Sequence, residues 1–131
     1  MTTKEKIPNL NRTIKFRVVN PKTGEVIGYE FFDGKRWLYT FAGDNKTDFY
    51  GVLSDWDFFQ RLQFTGLKDC NGKEIYEGDI CDVRGENAVV EYSSCCFVFY
   101  SKLWKGGEVP IDYDNKTCEI IGNIFEDKGL I

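Results

Sequence analysis

From Ile14 onward, apolar and polar positions alternate. Ile14, Phe16 and Val18 interleave with Lys15, Arg17 and Val19, the period of two that marks a half-buried strand. Asn20-Pro21-Lys22-Thr23-Gly24 follows as a turn, with Pro presetting one corner and Gly supplying a positive-φ position. Val26 to Phe32 reads as a second strand, Asp33-Gly34 as a hairpin cue, and Trp37 to Phe41 as a third strand. Residues 14–41 therefore predict a three-stranded meander with one aromatic face.

The next stretch is less clear. Gly43 to Asp48 predicts a loop. Phe49 to Gln63 supports two readings. Ser54 and Asp57 resemble a helix N-cap pair, which would set Trp56, Phe59 and Leu62 or Gln63 on one face. Phe58-Phe59 and Leu62-Gln63-Phe64 suit a strand equally well. The expectation is a short helical turn at 54–60, then a strand from about Arg61.

Thr65 to Ile80, TGLKDCNGKEIYEGDI, carries the densest turn chemistry. Asp69-Cys70-Asn71-Gly72 predicts one turn and Glu77-Gly78-Asp79 a second, with Lys73 to Tyr76 extended between them. Ile80 to Val83 and Ala88 to Tyr92 follow as strands around a turn at 84–87. Phe97 to Tyr100 continues the sheet, and Lys105-Gly106-Gly107 reads as a flexible tip. Pro110 demotes Val109 to Tyr113 to an edge strand or irregular entry. After a turn at 114–116, Thr117 to Phe125 carries apolar residues in both alternating rows, so it reads as covered on both sides.

Short strands punctuated by turns every eight to twelve residues give an all-β fold class. The expected architecture is a small SH3-like or OB-like barrel over 65–131, with the N-terminal meander of 13–64 packed beside it. Residues 1–12 are polar, contain Pro8 and read as a flexible arm. Residues 13–131 read as one compact unit.

Composition narrows the function. The chain has 131 residues, 42% of them apolar and 16% aromatic, enough for a core without metals or disulfides. It has no histidine, which removes Ser-His-Asp and Cys-His catalysis. Neither a run of eighteen apolar residues nor an apolar leader occurs, so a soluble product is expected, without contact to a membrane. The five cysteines are odd in number, without a CxxC pair, and read as free and mostly buried thiols in a reducing compartment rather than a zinc site. Residues 1–40 hold eight Lys/Arg against four Asp/Glu, and the other 91 hold nine against seventeen. An acidic body cannot neutralise a phosphate backbone broadly, so only the N-terminal sheet is a candidate for nucleic-acid contact.

Three blocks resemble the YopX family of phage and prophage proteins: IKFRVVNPKTGEVI from Ile14 to Ile27, the central TGLKDCNGKEIYEGDI, and CEIIGNIFED from Cys118 to Asp127. The central block is the specific one. Cys70 and Cys81 depart from the pattern, standing where a charged or apolar residue is expected. The resemblance implies an all-β fold with a barrel-like C-terminal part and an origin in a mobile element; with the free thiols read above, the expected place is the cytoplasm of a bacterial host. It implies no reaction and no catalytic residue.

Candidate sites are few. Asp69, Glu74, Glu77 and Asp79 could form a carboxylate cluster for a metal or for acid–base work. The alternative is structural: Asp69 closes a turn, Glu74 is solvated, and Glu77-Gly78-Asp79 holds a bend through side-chain-to-backbone bonds. Lys35-Arg36-Trp37 and the run around Trp104 approach the basic–aromatic interleaving of a single-strand nucleic-acid platform, although core strands ending in a charged hairpin explain both. The binding candidates are Lys15, Arg17, Lys35, Arg36, Trp37 and Trp104, with no catalytic residue, metal or cofactor. The expected function is a non-enzymatic binding module for a protein partner from phage or host, with self-association as a further property. The alternative is a regulator touching nucleic acid through the basic N-terminal sheet.

Overall fold

A computed structural model describes residues 13–41 and 59–131, and it is all-β. Among the described residues, ten strands form two antiparallel sheets. The first contains β1 (Lys15–Val19), β2 (Val26–Phe32), β3 (Trp37–Phe41), β4 (Gln60–Lys68) and β5 (Glu74–Tyr76), in the order β3-β2-β1-β4-β5. The second contains β6 (Asp79–Val83), β7 (Glu86–Ser93), β8 (Cys96–Tyr100), β9 (Glu108–Pro110) and β10 (Glu119–Asn123), in the order β10-β6-β7-β8-β9. Short 3-10 turns lie at Ile111–Tyr113 and Lys128–Leu130.

The meander forms as its alternation and turns predict. The turn after β1 closes with Gly24 N donating to Asn20 O at 2.8 Å and Lys22 N to Asn20 Oδ1 at 2.9 Å. Gly24 is required twice over. Its φ is +77°, and a Cβ there would stand 2.5 Å from Glu126 Cγ, because the C-terminal segment packs on this turn. The β2–β3 hairpin is shaped by Asp33, whose Oδ1 accepts from the Lys35 and Arg36 amides at 2.8 and 2.9 Å. The helical turn expected at 54–60 falls mostly outside the described residues, as do the arm at 1–12, the loop at 43–48 and Trp56. Of that turn, Phe59 is a bend and Gln60 opens β4.

The two sheets stay open, so the expected closure of the C-terminal half into a barrel does not occur. The cause lies at the edges. Pro110 lacks an amide donor, and β9, which carries it, is indeed an edge strand. At the opposite edge, carboxylates serve amides of β10: Ile120 N donates to Asp69 Oδ2 at 3.0 Å and Asn123 N to Asp127 Oδ2 at 3.1 Å. Side chains thus satisfy amides that closure would hand to another strand. As an edge strand with a register shift between Ile120 and Gly122, β10 also leaves Ile121 39% exposed, against the expectation of cover on both sides.

The core of the second sheet gathers Ile75, Val83, Ala88, Val90, Phe99 and Ile111 with the buried thiols of Cys81 and Cys118. The other three cysteines, Cys70, Cys95 and Cys96, are exposed, so the expectation of mostly buried thiols fails, while all five are free. The first sheet runs past residue 64 and takes β5. The chain changes sheets at Glu77-Gly78, inside the central motif.

Candidate functional site

The central motif is the crossover between the sheets, and its side chains explain what holds it. Gly78, at φ +84°, donates its amide to Val90 O at 2.8 Å and accepts from Ile124 N at 3.0 Å. It thereby ties β7 and the C-terminal segment to the crossing. Glu77 and Gln63 exchange bonds, Glu77 N to Gln63 O at 2.9 Å and Gln63 N to Glu77 Oε1 at 3.2 Å.

Arg17, opposite Tyr29 and Leu62 in the sheet, reaches across to Asp79. Its Nη1 lies 3.0 Å from Asp79 Oδ1, and Asp79 Oδ2 accepts from the Tyr76 amide at 2.8 Å. The guanidinium also rests 4.1 Å from the Tyr76 ring centroid. Arg17 Nε is buried and meets no hydrogen-bond acceptor among the described residues, so the ring face is its compensation. Lys15 Nζ and the Tyr76 hydroxyl both donate to Glu74 Oε1, at 2.9 and 3.0 Å. Tyr29 and Phe64 pack on Tyr76 with centroids 6.0 and 5.4 Å away. Burial and then the neighbouring Glu74 carboxylate push the Tyr76 phenol well above its ordinary range.

Asp69 plays the second role. It is buried, and Oδ1 accepts from the Asn71 and Lys73 amides at 2.9 Å each, while Oδ2 takes Ile120 N of β10. A sequence reading of Asp69 as a turn closer is correct and incomplete. The same carboxylate also fastens that turn to a strand fifty-one residues on. Glu74 is half-buried and paired rather than solvated.

These environments set an acid response. Burial alone would raise Asp69, but the amides of Ile120, Lys73 and Asn71 outweigh it and hold the carboxyl below 3.8. Burial likewise opposes the Lys15 and Tyr76 bonds at Glu74, which end by holding it below 4.5. A folded-state pKa below the unfolded value contributes stability that is full above the unfolded value and lost as pH falls through the folded one. Asp79 has the opposite sign. Its burial outweighs Arg17 and raises it above 3.8, so its contribution is full below that value and is lost as pH rises through the raised one. Urea midpoints measured from pH 6 down to pH 2 should therefore fall below about pH 4, and fall less in Asp69→Asn. An unchanged slope in that variant would contradict the assignment.

Of the six binding candidates, Lys15 and Arg17 are thus partly buried and paired with Glu74 and Asp79. Trp104 is half-buried against the second sheet's core. Lys35, Arg36 and Trp37 are brought together on the β2–β3 hairpin and are exposed. Trp37 is 45% exposed, with its ring 5.5 Å from that of Phe32, itself 38% exposed, and 6.1 Å from Phe16. Phe32 is the residue sequence reasoning missed; its place opposite Trp37 across an Asp-Gly hairpin was the available signal.

Further surface lies on the second sheet. A groove of about 570 Å³ is lined by Val89, Tyr100, Leu103, Leu130 and Ile131 among others. Another of about 810 Å³ runs past Val89, Tyr92, Ile124 and Phe125. Among the described residues no group of three or more cysteines and carboxylates is placed to hold a metal, and no helix is long and apolar enough to cross a membrane.

The family model described as YopX protein matches residues 15–131. Among solved structures, the crystal structure of protein EF1440 from Enterococcus faecalis is similar, with a TM-score of 0.51 at 23% sequence identity. The match covers 89% of this chain and 96% of that one. At that identity the likeness speaks for the fold alone. No curated protein matches the sequence.

Proposed function

The chain belongs to the YopX protein family, and we propose that it is a non-enzymatic binding protein of a phage or prophage, docking a protein partner through the β2–β3 hairpin. The observation that carries this reading is the exposed, tilted Phe32–Trp37 ring pair beside the exposed Arg36. Trp and Arg dominate the energetics of protein interfaces, and an exposed aromatic pair is large, rigid contact area that loses little entropy on docking. Self-association through the same face belongs to this reading. The nucleic-acid reading loses ground because two of its cations, Lys15 and Arg17, are committed to Glu74 and Asp79. Lys35 and Arg36 remain exposed beside Trp37, so the test must separate the two classes.

Capture from a bacterial host lysate by wild type, Trp37→Ala and a Lys35→Glu/Arg36→Glu double variant does so, run alongside light scattering. A protein partner should be retained by wild type and lost with Trp37→Ala, since truncating a central anchor costs about 2 kcal/mol or more, roughly thirtyfold in affinity. Full retention by Trp37→Ala would refute the hairpin as the docking face. Capture of nucleic acid that vanishes with salt and with the charge reversal would favour the alternative instead.

A further inference from the structure

The β7–β8 hairpin turns through two residues, Ser94 and Cys95, with Ser93 and Cys96 paired across its mouth. Ser94 takes φ +56°, a conformation more usual for glycine, and Cys95 N donates to Ser93 O at 2.6 Å. Along a regular strand consecutive side chains point to opposite faces, so adjacent cysteines diverge. Here Cys95 lies in the turn while Cys96 opens β8, which breaks that alternation, and the Cys95 thiol is near enough to act on that of Cys96. Both are exposed. Glu108, on the neighbouring strand, accepts from the Ser93 hydroxyl at 3.2 Å, so the mouth of the hairpin is held in place.

We propose that Cys95 and Cys96 form a vicinal dithiol site for trivalent arsenicals. Two thiols presented side by side are the chemistry this metalloid class takes. With an arsenoxide, two As–S bonds form, the two S–H protons join the arsenic-bound oxygen, and that oxygen leaves as one water. Arsenic stays trivalent and neither sulfur is oxidised, so no oxidant is needed. The surroundings favour this route over disulfide exchange, which begins from a thiolate. Desolvation, the Cys95 thiol and the carboxylates of Glu108 and Asp112 all push the Cys96 thiol above its ordinary 9.0 and keep it protonated. The competing pair, Cys81 and Cys118, is fully buried, and desolvation there raises Cys118 to about 11.

The test uses the full chain, reduced, with phenylarsine oxide and intact-mass detection. One arsenical per chain should bind, survive excess 2-mercaptoethanol and be stripped by dithiothreitol. Cys95→Ser and Cys96→Ser should each lose the monothiol-resistant adduct while keeping the wild-type far-ultraviolet circular dichroism, since both positions are exposed. Absence of the adduct from wild type would overturn the proposal. So would its persistence in the Cys95→Ser/Cys96→Ser double variant, which would move the site to Cys81 and Cys118.

Discussion

Replacing Asp79 by alanine should lower the unfolding free energy by about 3 kcal/mol, the largest effect expected of any charged position described. Asp79 is 2% exposed and Arg17 only 19%, so truncation leaves a largely buried guanidinium without its counter-charge and the Tyr76 amide without its acceptor. The value sits at the low end for a broken buried pair because Arg17 keeps some solvent. Urea unfolding should show a lower midpoint with unchanged m. The geometry also predicts that the pair is worth less than either half suggests. Removing both charges with Arg17→Met/Asp79→Leu should recover most of the loss, because each ion also carries a desolvation cost. A shift below about 1 kcal/mol for Asp79→Ala would mean that water replaces the carboxylate, and the interpretation would fall.

Asp69→Ala should follow, at about 2 kcal/mol. Three amides lose a charged acceptor. The turn amides of Asn71 and Lys73 can turn to water, whereas Ile120, half-buried in the β10 edge, is less able to. Asp69→Asn keeps an acceptor for Asn71 and Lys73 and should cost roughly half as much. Because Asp69 joins the central turn to β10, hydrogen exchange in the alanine variant should rise at both places together. A rise confined to the turn would show that the link to β10 contributes nothing.

The same two carboxylates show how far the sequence could be read. The strands of the meander, the turns at Asn20–Gly24 and Asp69–Gly72, and the edge position forced by Pro110 were all legible, because each rests on residues within a few positions of one another. The local half of each carboxylate's work was legible too: Asp69 closing its turn, Asp79 bonding the backbone of its bend. Their other halves were not. Arg17 and Asp79 stand 62 residues apart, Lys15 and Glu74 are 59 apart, and no spacing rule connects them. The ion pairs of two of the six binding candidates, Lys15 and Arg17, were therefore not legible, while the grouping of Lys35, Arg36 and Trp37 was, because a hairpin is a local object.

The central motif Thr65–Ile80 marks the limit most clearly. By itself the sequence determined that it bends twice around a short extended segment, since glycine, asparagine and aspartate act through their own backbones, and it determined the family. Only the tertiary structure decided that the second bend is where the chain passes from one sheet to the other. It also decided that the sheets stay open rather than close into a barrel. Closure depends on which edge amides find a strand and which find a carboxylate, and at β10 those carboxylates are Asp69, from the motif itself, and Asp127.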